Sequence, residues 1–224
     1  MDKKELSRLK KFYQTKFQEY CKKFLQNHNS QAYLRKQTLL VDALLINVWQ
    51  SLSISKDIVL GAVGGYGRKE LFPFSDVDIL IVFEKKISET DQEAVSQFIT
   101  NCWDLGFKIG HSVRNIKQVK QEFNADISTA TNLIESRFLI GSTLVFKKMN
   151  EVINTSLSIK KFYKLKLQEQ ANRHRKFRDS AYQLEPNIKE SPGGLRDLHM
   201  VRWLSISQKT GGTFKEMFEN NLIN

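Results

Sequence analysis

The sequence predicts an α+β fold in which a small sheet-containing unit, at about residues 56–114, lies between two helical regions. Apolar residues recur at helical spacing before Asp57, short apolar runs follow it, and helical spacing returns beyond Asn115. The chain has 224 residues, of which 41% are hydrophobic and 26% charged. That composition and length are those of a globular protein with a sizeable core.

The first two elements are predicted to be amphipathic helices at residues 3–27 and 31–52. In each, apolar side chains recur every three or four residues, and the "NHNS" between them supplies a turn and a cap. We interpret residues 1–55 as an N-terminal helical extension rather than a catalytic element.

The middle of the chain predicts strands and one intervening helix. "IVLGAV" (58–63) indicates a strand, and "GGYGRKEL" (64–71) a turn that enters a short helix. "VDILIVF" (77–83) is short and apolar enough for a buried strand. Residues 89–106 keep helical spacing up to a glycine, and "FKIGHSV" (107–113) indicates a further strand.

The remainder is predicted to be helical from Asn115 to about Arg178, with breaks near Gly141 and around residues 154–158. "LEPNIKESPGGL" (184–195) is interpreted as a structured turn that leads into a last helix, "RDLHMVRWLSIS".

The net charge of +11 is concentrated in residues 1–40 and 158–178, each with a local charge of +7. Such segments suit a nucleotide, nucleic acid or acidic protein, or are simply solvated helix faces. No run of about 18 apolar residues predicts a membrane span, and the N-terminus lacks a signal-peptide pattern. Cys21 and Cys102 lack metal-ligand spacing, which favours a reduced, cytoplasmic protein.

Asp76 and Asp78 precede the apolar run, one residue apart. Side chains alternate along a strand, so both carboxylates share one face, about 7 Å apart along it. They repel each other unless a cation lies between them, and Mg²⁺ is commonly held by one or two carboxylates with substrate phosphates. The alternative is that Ser75 and Asp76 cap a turn and Asp78 is exposed at a strand start.

The glycine-rich turn before them favours the functional interpretation. Gly64, Gly65 and Gly67 let the backbone approach a ligand, and N–H groups at a turn and helix start bind anions. Arg68 adds a planar donor fork suited to phosphate. A phosphate site beside a carboxylate pair indicates metal-assisted phosphoryl or nucleotidyl transfer, without a Walker A loop or a dinucleotide fingerprint.

"GGYGRKELFPFSDVDILI" resembles the catalytic signature of the polymerase-β-type nucleotidyltransferase superfamily, and in this form is most similar to protein-PII uridylyltransferases. The resemblance covers about residues 57–205 and continues in "GHSVR" (110–114), "TNLIESRFLIG" (131–141), "RH" (173–174) and "YQLEPNIKESPGGLRDLHMVRW" (182–203). It implies a small mixed sheet of the polymerase-β type. It also implies a catalytic domain at 56–150 and a helical region at 151–224 that completes the nucleotide and acceptor cleft.

The resemblance implies transfer of UMP from UTP to a tyrosine of the PII signal protein, with release of pyrophosphate. Asp76 and Asp78 are expected to be catalytic and to bind Mg²⁺, and a two-metal arrangement is one form of such a site. The residues expected to bind the nucleotide are Gly64, Gly65, Gly67, Arg68, Ser75 and Arg114.

The sequence departs from the superfamily where a third carboxylate is often found. "FKIGHSV" contains no acid and has Lys108 instead. Either two aspartates suffice or Glu70, Asp126 or Asp197 completes the site, and we commit only to Asp76 and Asp78.

Other polar residues in the shared motifs are weaker candidates. Ser112 and Arg114 should share one strand face with His111 on the other, and Arg114 either reaches the nucleotide or pairs with an acid. Lys189, Arg196 and Asp197 are expected to line the acceptor or base side of the cleft. His174 is interpreted as part of a polar helix face.

Uridylyltransferases of this family continue into a metal-dependent HD hydrolase domain and ACT domains. None of the four histidines here is followed by aspartate, so we expect a fragment without uridylyl removal or glutamine sensing. The alternatives are another nucleotidyltransferase, acting in protein adenylylation or RNA tailing, or an inactive module that binds PII or a nucleotide. The basic segments lack the interleaved aromatic residues that favour single-stranded nucleic acid, and no membrane partner is expected.

Overall fold

A computed structural model describes residues 1–177, 185 and 187–223, so residues 182–184 and Pro186 of the last shared motif lie outside the described residues. The fold is α+β, as predicted. In chain order the elements are α1 (Lys3–Asn27), α2 (Ser30–Gln50), β1 (Ile58–Ala62), α3 (Gly64–Gly67), β2 (Val77–Phe83), α4 (Glu89–Asp104), β3 (Ile109–Asn115), α5 (Ile116–Ala125), α6 (Ile127–Ile134), β4 (Arg137–Gly141), α7 (Thr143–Ser156), α8 (Ile159–Lys176), α9 (Leu195–Ser207) and α10 (Phe214–Glu219). Across the described ranges, no helix has the length and apolar character needed to cross a membrane.

The sheet has four strands in the order β3-β2-β1-β4. β1 pairs antiparallel with both β2 and β4, whereas β2 and β3 are parallel and are connected through α4. Parallel neighbours require such a crossover, because a tight hairpin can join only antiparallel strands. The mixed sheet that the family resemblance implied is therefore confirmed.

The strand β4 corrects the sequence prediction, which made the stretch from Asn115 to about Arg178 helical, with breaks only near Gly141 and around residues 154–158. A short segment with three apolar residues, such as "RFLIG", is compatible with either a helix or a strand, so its pairing partner determines its conformation. Residues 137–141 form a strand because they pair with the free edge of β1, with Val59 opposite Gly141 and Ala62 opposite Arg137. Gly141 has φ +109°, and a Cβ there would lie 2.0 Å from the Ile58 carbonyl oxygen.

The chain divides into two compact units, of which the first comprises residues 1–121 and 135–152. Its hydrophobic core joins α2 and α4 to one face of the sheet, with partly buried side chains of α1 packed against it. The buried residues that represent these layers are Leu44, Val48, Leu60, Ile79 and Phe98. The two N-terminal helices thus share the core of the sheet, while their description as an extension stays a prediction about function.

The second unit comprises residues 122–134 and 153–224, and its helices α6, α8 and α9 pack together. Trp203 of α9 is its largest fully buried side chain. The last predicted helix is confirmed as α9. The short helix α10, which the sequence prediction missed, begins with a capping box between Thr213 and Glu216.

Candidate active site

One end of the sheet brings three of the sequence motifs together. Ala62, at the end of β1, lies opposite Ile79 of β2 and Arg137 of β4. The Val63 N–H donates a hydrogen bond to the carbonyl oxygen of Asp78 at 3.0 Å. The glycine turn after β1, the aspartates at the start of β2 and the "ESR" segment at the start of β4 therefore meet at this end.

The two aspartates lie at the first residues of β2. Asp76 directly precedes the strand and is exposed, whereas Asp78 is its second residue and is half-buried. Strand alternation puts both carboxylates on the same side. Within the described part of the chain, the Asp76 carboxylate forms no ion pair or hydrogen bond. A carboxylate that caps a turn would accept a hydrogen bond, so the structure gives no support to the turn-capping alternative for Asp76.

Gly110 makes room for the Asp78 carboxylate. It lies opposite Asp78 in the parallel pairing of β2 and β3. A Cβ on Gly110 would lie 2.3 Å from Asp78 Oδ1, far inside van der Waals contact. Glycine at this position is therefore required for the carboxylate to keep its present orientation.

The glycine turn is itself the short helix α3, rather than a turn that precedes a helix as expected. Gly64 begins it with φ +57°, a left-handed conformation that suits glycine. A Cβ on Gly67 would lie 2.3 Å from the Glu135 carbonyl oxygen, whereas the nearest atom to a Cβ on Gly65 is 3.5 Å away. The turn thus packs backbone to backbone against the residues that enter β4.

A buried polar network of Asp42, Tyr66 and Arg137 stabilises the glycine turn. The Tyr66 hydroxyl, fully buried, donates to Asp42 Oδ1 at 2.5 Å. The Arg137 guanidinium donates to both Asp42 oxygens at 2.8 and 3.0 Å and lies 5.3 Å from the centre of the Tyr66 ring. Burial and the Asp42 carboxylate raise the pKa of Tyr66, which keeps its hydroxyl as a proton donor.

Arg68 is held by two carboxylates. Its Nε donates to Glu70 at 2.7 Å and its Nη1 to Glu135 at 2.6 Å. The Glu135 and Arg68 side chains are 1% and 8% exposed. Burial works against the charge of Arg68, but Glu135 and Glu70 outweigh it, so the pKa of Arg68 is raised. In this arrangement Arg68 joins the glycine turn to Glu135, just before β4. The expected contact of Arg68 with phosphate stays a prediction.

The residues of β3 alternate as the sequence predicted. Ser112 lies opposite Leu80 and Arg114 opposite Val82, on the strand face that also carries Asp78 and Gly110. His111 is exposed on the other face, where its ring lies 5.9 Å from that of Trp103. The expected contact of Arg114 with the nucleotide stays a prediction.

The three residues named as candidates for a third carboxylate each have other partners in the structure. In the ranges that the structure describes, no group of three or more histidine, cysteine, aspartate or glutamate side chains could hold a metal. Of the three alternatives, Glu70 pairs with Arg68. Asp126 caps α6 through the Thr129 N–H at 2.6 Å, and the same bond lowers its pKa. Asp197 lies in the second unit.

Asp197 joins α8 to the start of α9 in the second unit. Its carboxylate accepts hydrogen bonds from Gln170 at 2.8 Å and the Gly193 N–H at 2.7 Å. It also contacts Arg173, and His174 Nε2 lies 3.0 Å away. Burial would raise the pKa of Asp197, but these partners outweigh it and lower the pKa. His174 therefore packs against a carboxylate rather than only contributing to a polar face.

The other two residues expected in the cleft lie close to Asp197. The Arg196 N–H donates to the Lys189 carbonyl oxygen at 3.0 Å. The Lys189 side chain is exposed, whereas that of Arg196 lines a cavity in the second unit. Their assignment to the acceptor or base side of a cleft stays a prediction.

The supporting residues were not singled out from the sequence. Asp42 lies in a helix that was assigned to the extension, and Glu135 and Arg137 lie in a stretch predicted to be helical. The signal that could have found them was the "ESR" within "TNLIESRFLIG", which the family resemblance already included. Matching the charges of "GGYGR" and "ESR" gives the pair of Arg68 with Glu135, whereas the partner of Arg137, Asp42, lies in neither motif.

A mixed sheet with a glycine turn and an aspartate pair at one end is the arrangement that the sequence resemblance predicted for a nucleotidyltransferase domain. The nucleotidyltransferase domain family matches residues 45–192, and this chain belongs to that family. Domains of this family generally use a divalent metal. A second family, described as GlnD PII-uridylyltransferase, matches residues 161–224.

The chain is also similar to curated proteins named bifunctional uridylyltransferase/uridylyl-removing enzyme. The one from Haemophilus influenzae (strain PittEE) is 41% identical over 223 residues, which is 98% of this chain and 25% of that protein. Those from Thiobacillus denitrificans and Nitrosospira multiformis are 45% and 40% identical over 77% and 90% of this chain, and over 20% and 23% of their own lengths. The chain thus spans about a quarter of the length of these relatives.

Among solved structures, a toxin–antitoxin complex with AMP-PNP matches with a TM-score of 0.33 and 14% identity, over 62% of this chain and 96% of that one. That likeness is too low to support any functional conclusion.

Proposed function

We propose that this chain transfers UMP from UTP to a tyrosine hydroxyl of a PII signal protein and releases pyrophosphate. The observation that carries the proposal is the pair Asp76 and Asp78 beside the glycine turn at one end of the sheet. The names of the relatives support uridylyl transfer over adenylyl transfer. The chain spans about a quarter of the length of those relatives, and the activity proposed for this part is transfer, in the cytoplasm.

The two carboxylates fit a divalent cation. Both supply oxygen ligands from the same strand face, and the Asp76 carboxylate has no partner in the described ranges. Gly110 leaves the space in which the Asp78 carboxylate is oriented. We propose Mg²⁺ held by Asp76 and Asp78 together with substrate phosphates. When bound, the ion supplies charge neutralisation at the phosphates that react.

The glycine turn is the proposed site of the triphosphate. The first residues of α3 have N–H groups without an intrahelical acceptor, and such groups bind phosphate oxygens. Gly64 and Gly65 begin this turn, and Ser75 lies beside Asp76 in the following loop. Arg68 is proposed to contact the triphosphate from its position between Glu70 and Glu135, and Arg114 to reach the nucleotide from β3.

The proposed reaction is a displacement at the α-phosphorus of UTP. The tyrosine oxygen forms a bond to that phosphorus, the bond to the bridging oxygen of the β-phosphate breaks, and pyrophosphate leaves. The phenolic proton passes to solvent or to a basic oxygen nearby. The chain contributes by fixing the phosphates on the turn and by holding two carboxylates at the reacting end, so positioning and charge provide most of the rate.

The test is labelling of a purified PII protein with UTP that carries a radioactive α-phosphate, in the presence of Mg²⁺. ATP and CTP labelled in the same way, and a PII variant with phenylalanine at the acceptor tyrosine, are run in parallel. We expect label from UTP alone, on the tyrosine alone. Label from ATP alone would replace uridylyl with adenylyl transfer, and no label from any nucleotide would favour a binding module.

A further inference from the structure

A cavity of about 560 Å³ lies within the second unit, and its lining includes four cationic and two acidic side chains. All of its lining residues belong to residues 122–134 and 153–224, so it is a feature of this unit by itself. The residues that matter for its chemistry are Thr131, Lys166, Arg173, Arg196 and Trp203. Its volume is within the range of about 300–1,000 Å³ typical of small-molecule sites.

Lys166 is the most unusual of these residues because a lysine is almost never fully buried. Its side chain is 3% exposed, and its ammonium group lies 3.9 Å from the centre of the Trp203 ring. The ammonium also donates to Glu169 at 2.9 Å and to the Thr131 hydroxyl at 3.4 Å. These contacts fix the charge at the cavity wall.

Two arginines converge on the same place. The Arg196 guanidinium lies 5.8 Å from the centre of the Trp203 ring that Lys166 covers, and its Nε is 3.3 Å from Glu190. Arg173 contacts Asp197, yet its Nε is buried and has no hydrogen-bond partner among the described residues. Burial lowers the pKa of Lys166, Glu169 opposes this, and both arginines push it further down.

The four cationic side chains of the lining outnumber its two acidic ones, so the cavity keeps a positive charge that a bound anion would neutralise. Guanidinium groups donate in a planar fork that matches phosphate oxygens, and lysine adds a point charge. We propose that this cavity binds the phosphates of a small anionic ligand, either free pyrophosphate or the phosphate tail of a nucleotide, through Lys166, Arg173 and Arg196. Its ligand class rests on the proposed function, because UTP and pyrophosphate are the substrate and a product of that reaction, whereas its test measures binding without metal and without transfer.

The test uses isothermal titration calorimetry on the 224-residue chain that carries Asp76→Asn and Asp78→Asn, in buffer with a chelator. These substitutions and the absence of metal suppress metal-dependent binding at the aspartates. Inorganic pyrophosphate, UTP and uridine are titrated separately. We expect pyrophosphate and UTP to bind and uridine not to bind. If pyrophosphate and UTP bind with equal affinity, the cavity recognises the phosphates alone. If UTP binds more tightly, the ligand of the cavity is a nucleotide. Both results support a phosphate site.

The site is then located with variants of its walls. Arg196→Gln and Lys166→Met should each weaken pyrophosphate binding about tenfold or more, because each removes a charge-assisted contact. Lys164→Met, on an exposed position of the same helix, and Lys215→Gln should change it less than about twofold. Arg196 is one-third exposed, so Arg196→Gln keeps the test valid if Lys166→Met fails to fold.

Three outcomes overturn the proposal, two of them in the pyrophosphate titrations and one in the uridine titration. One is the absence of pyrophosphate binding in the parent protein, in which case the cations form a structural network only. The other is equal affinity in the parent, Arg196→Gln and a folded Lys166→Met, since the anion then binds elsewhere. Uridine that binds as tightly as UTP would also contradict a phosphate site.

Discussion

Asp78 and Gly110 lie opposite each other on neighbouring parallel strands. The Asp78 carboxylate occupies the space that a side chain at position 110 would fill. The contact is to the end of a short side chain, so Gly110→Ala should rotate the carboxylate rather than unfold the protein. A misplacement of about 1 Å costs on the order of a hundredfold in rate, so we expect the rate of UMP transfer to fall between about tenfold and a hundredfold.

The measurement is the initial rate of transfer together with the thermal midpoint of each variant. Gly212→Ala is the matched control, because a Cβ there meets no atom closer than 3.7 Å and the residue lies outside the proposed machinery. Full activity in Gly110→Ala would show that the orientation of the Asp78 carboxylate does not matter for the reaction.

Gly67 and Gly65 provide a pair of substitutions with opposite expected effects on stability. Gly67→Ala puts a methyl group 2.3 Å from a backbone oxygen, which cannot move away as a side chain can. We expect it to lower the free energy of unfolding by about 2 kcal/mol or more. Gly65→Ala meets only ordinary contacts in a helical turn, so it should be neutral or stabilising by up to ~1 kcal/mol. Urea unfolding followed by circular dichroism measures both, and equal losses would contradict the backbone packing described.

Glu135 should be more important for stability than Glu70, although both pair with Arg68. Removal of Glu135 leaves a nearly buried guanidinium without its most buried partner, and losses of this kind are about 3–5 kcal/mol. The Glu70 side chain is 24% exposed, so Glu70→Ala should cost at most about 1 kcal/mol. Urea unfolding of Glu135→Ala and Glu70→Ala would contradict this ranking if the two losses were the same.

Asp197 should make the stability of the second unit depend on pH in the acid range. Its pKa in the folded protein is lower than the usual 3.8, so its stabilising contribution is fully present above that value. The contribution is lost as the pH falls through the folded-state pKa. The thermal midpoint of the wild type should therefore exceed that of Asp197→Asn at about pH 7, and the gap should narrow towards about pH 3. A gap that is constant with pH would mean that the carboxylate charge is not what joins α8 to α9.

The parts of the fold that depend on local pattern were predictable. β1 and β2 are short apolar runs bounded by turn residues, and α4 has an acidic start and a glycine after its end. β4 was not predictable, because its five residues carry no local signal that excludes a helix. Its pairing with the edge of β1, about 80 residues earlier, determines its conformation.

The candidate site divides in the same way. Asp76 and Asp78 lie within a dozen residues of the glycine turn, so their chemistry could be inferred from the sequence alone. The contact between Arg68 and Glu135 joins positions 67 residues apart, and the role of Gly110 depends on the register of a parallel strand pair. A sequence without homologues aligned to it specifies neither relationship.

The measurement that matters most is Mg²⁺-dependent transfer of UMP to PII by the wild type, Asp76→Asn, Asp78→Asn and the double variant. Each substitution keeps the size of the side chain and removes one negative charge from the proposed cation site. We predict that every variant folds like the wild type and loses about a thousandfold or more in rate, because charge stabilisation of the reacting phosphates is lost. Transfer by the double variant at the rate of the wild type would contradict the assignment of this site.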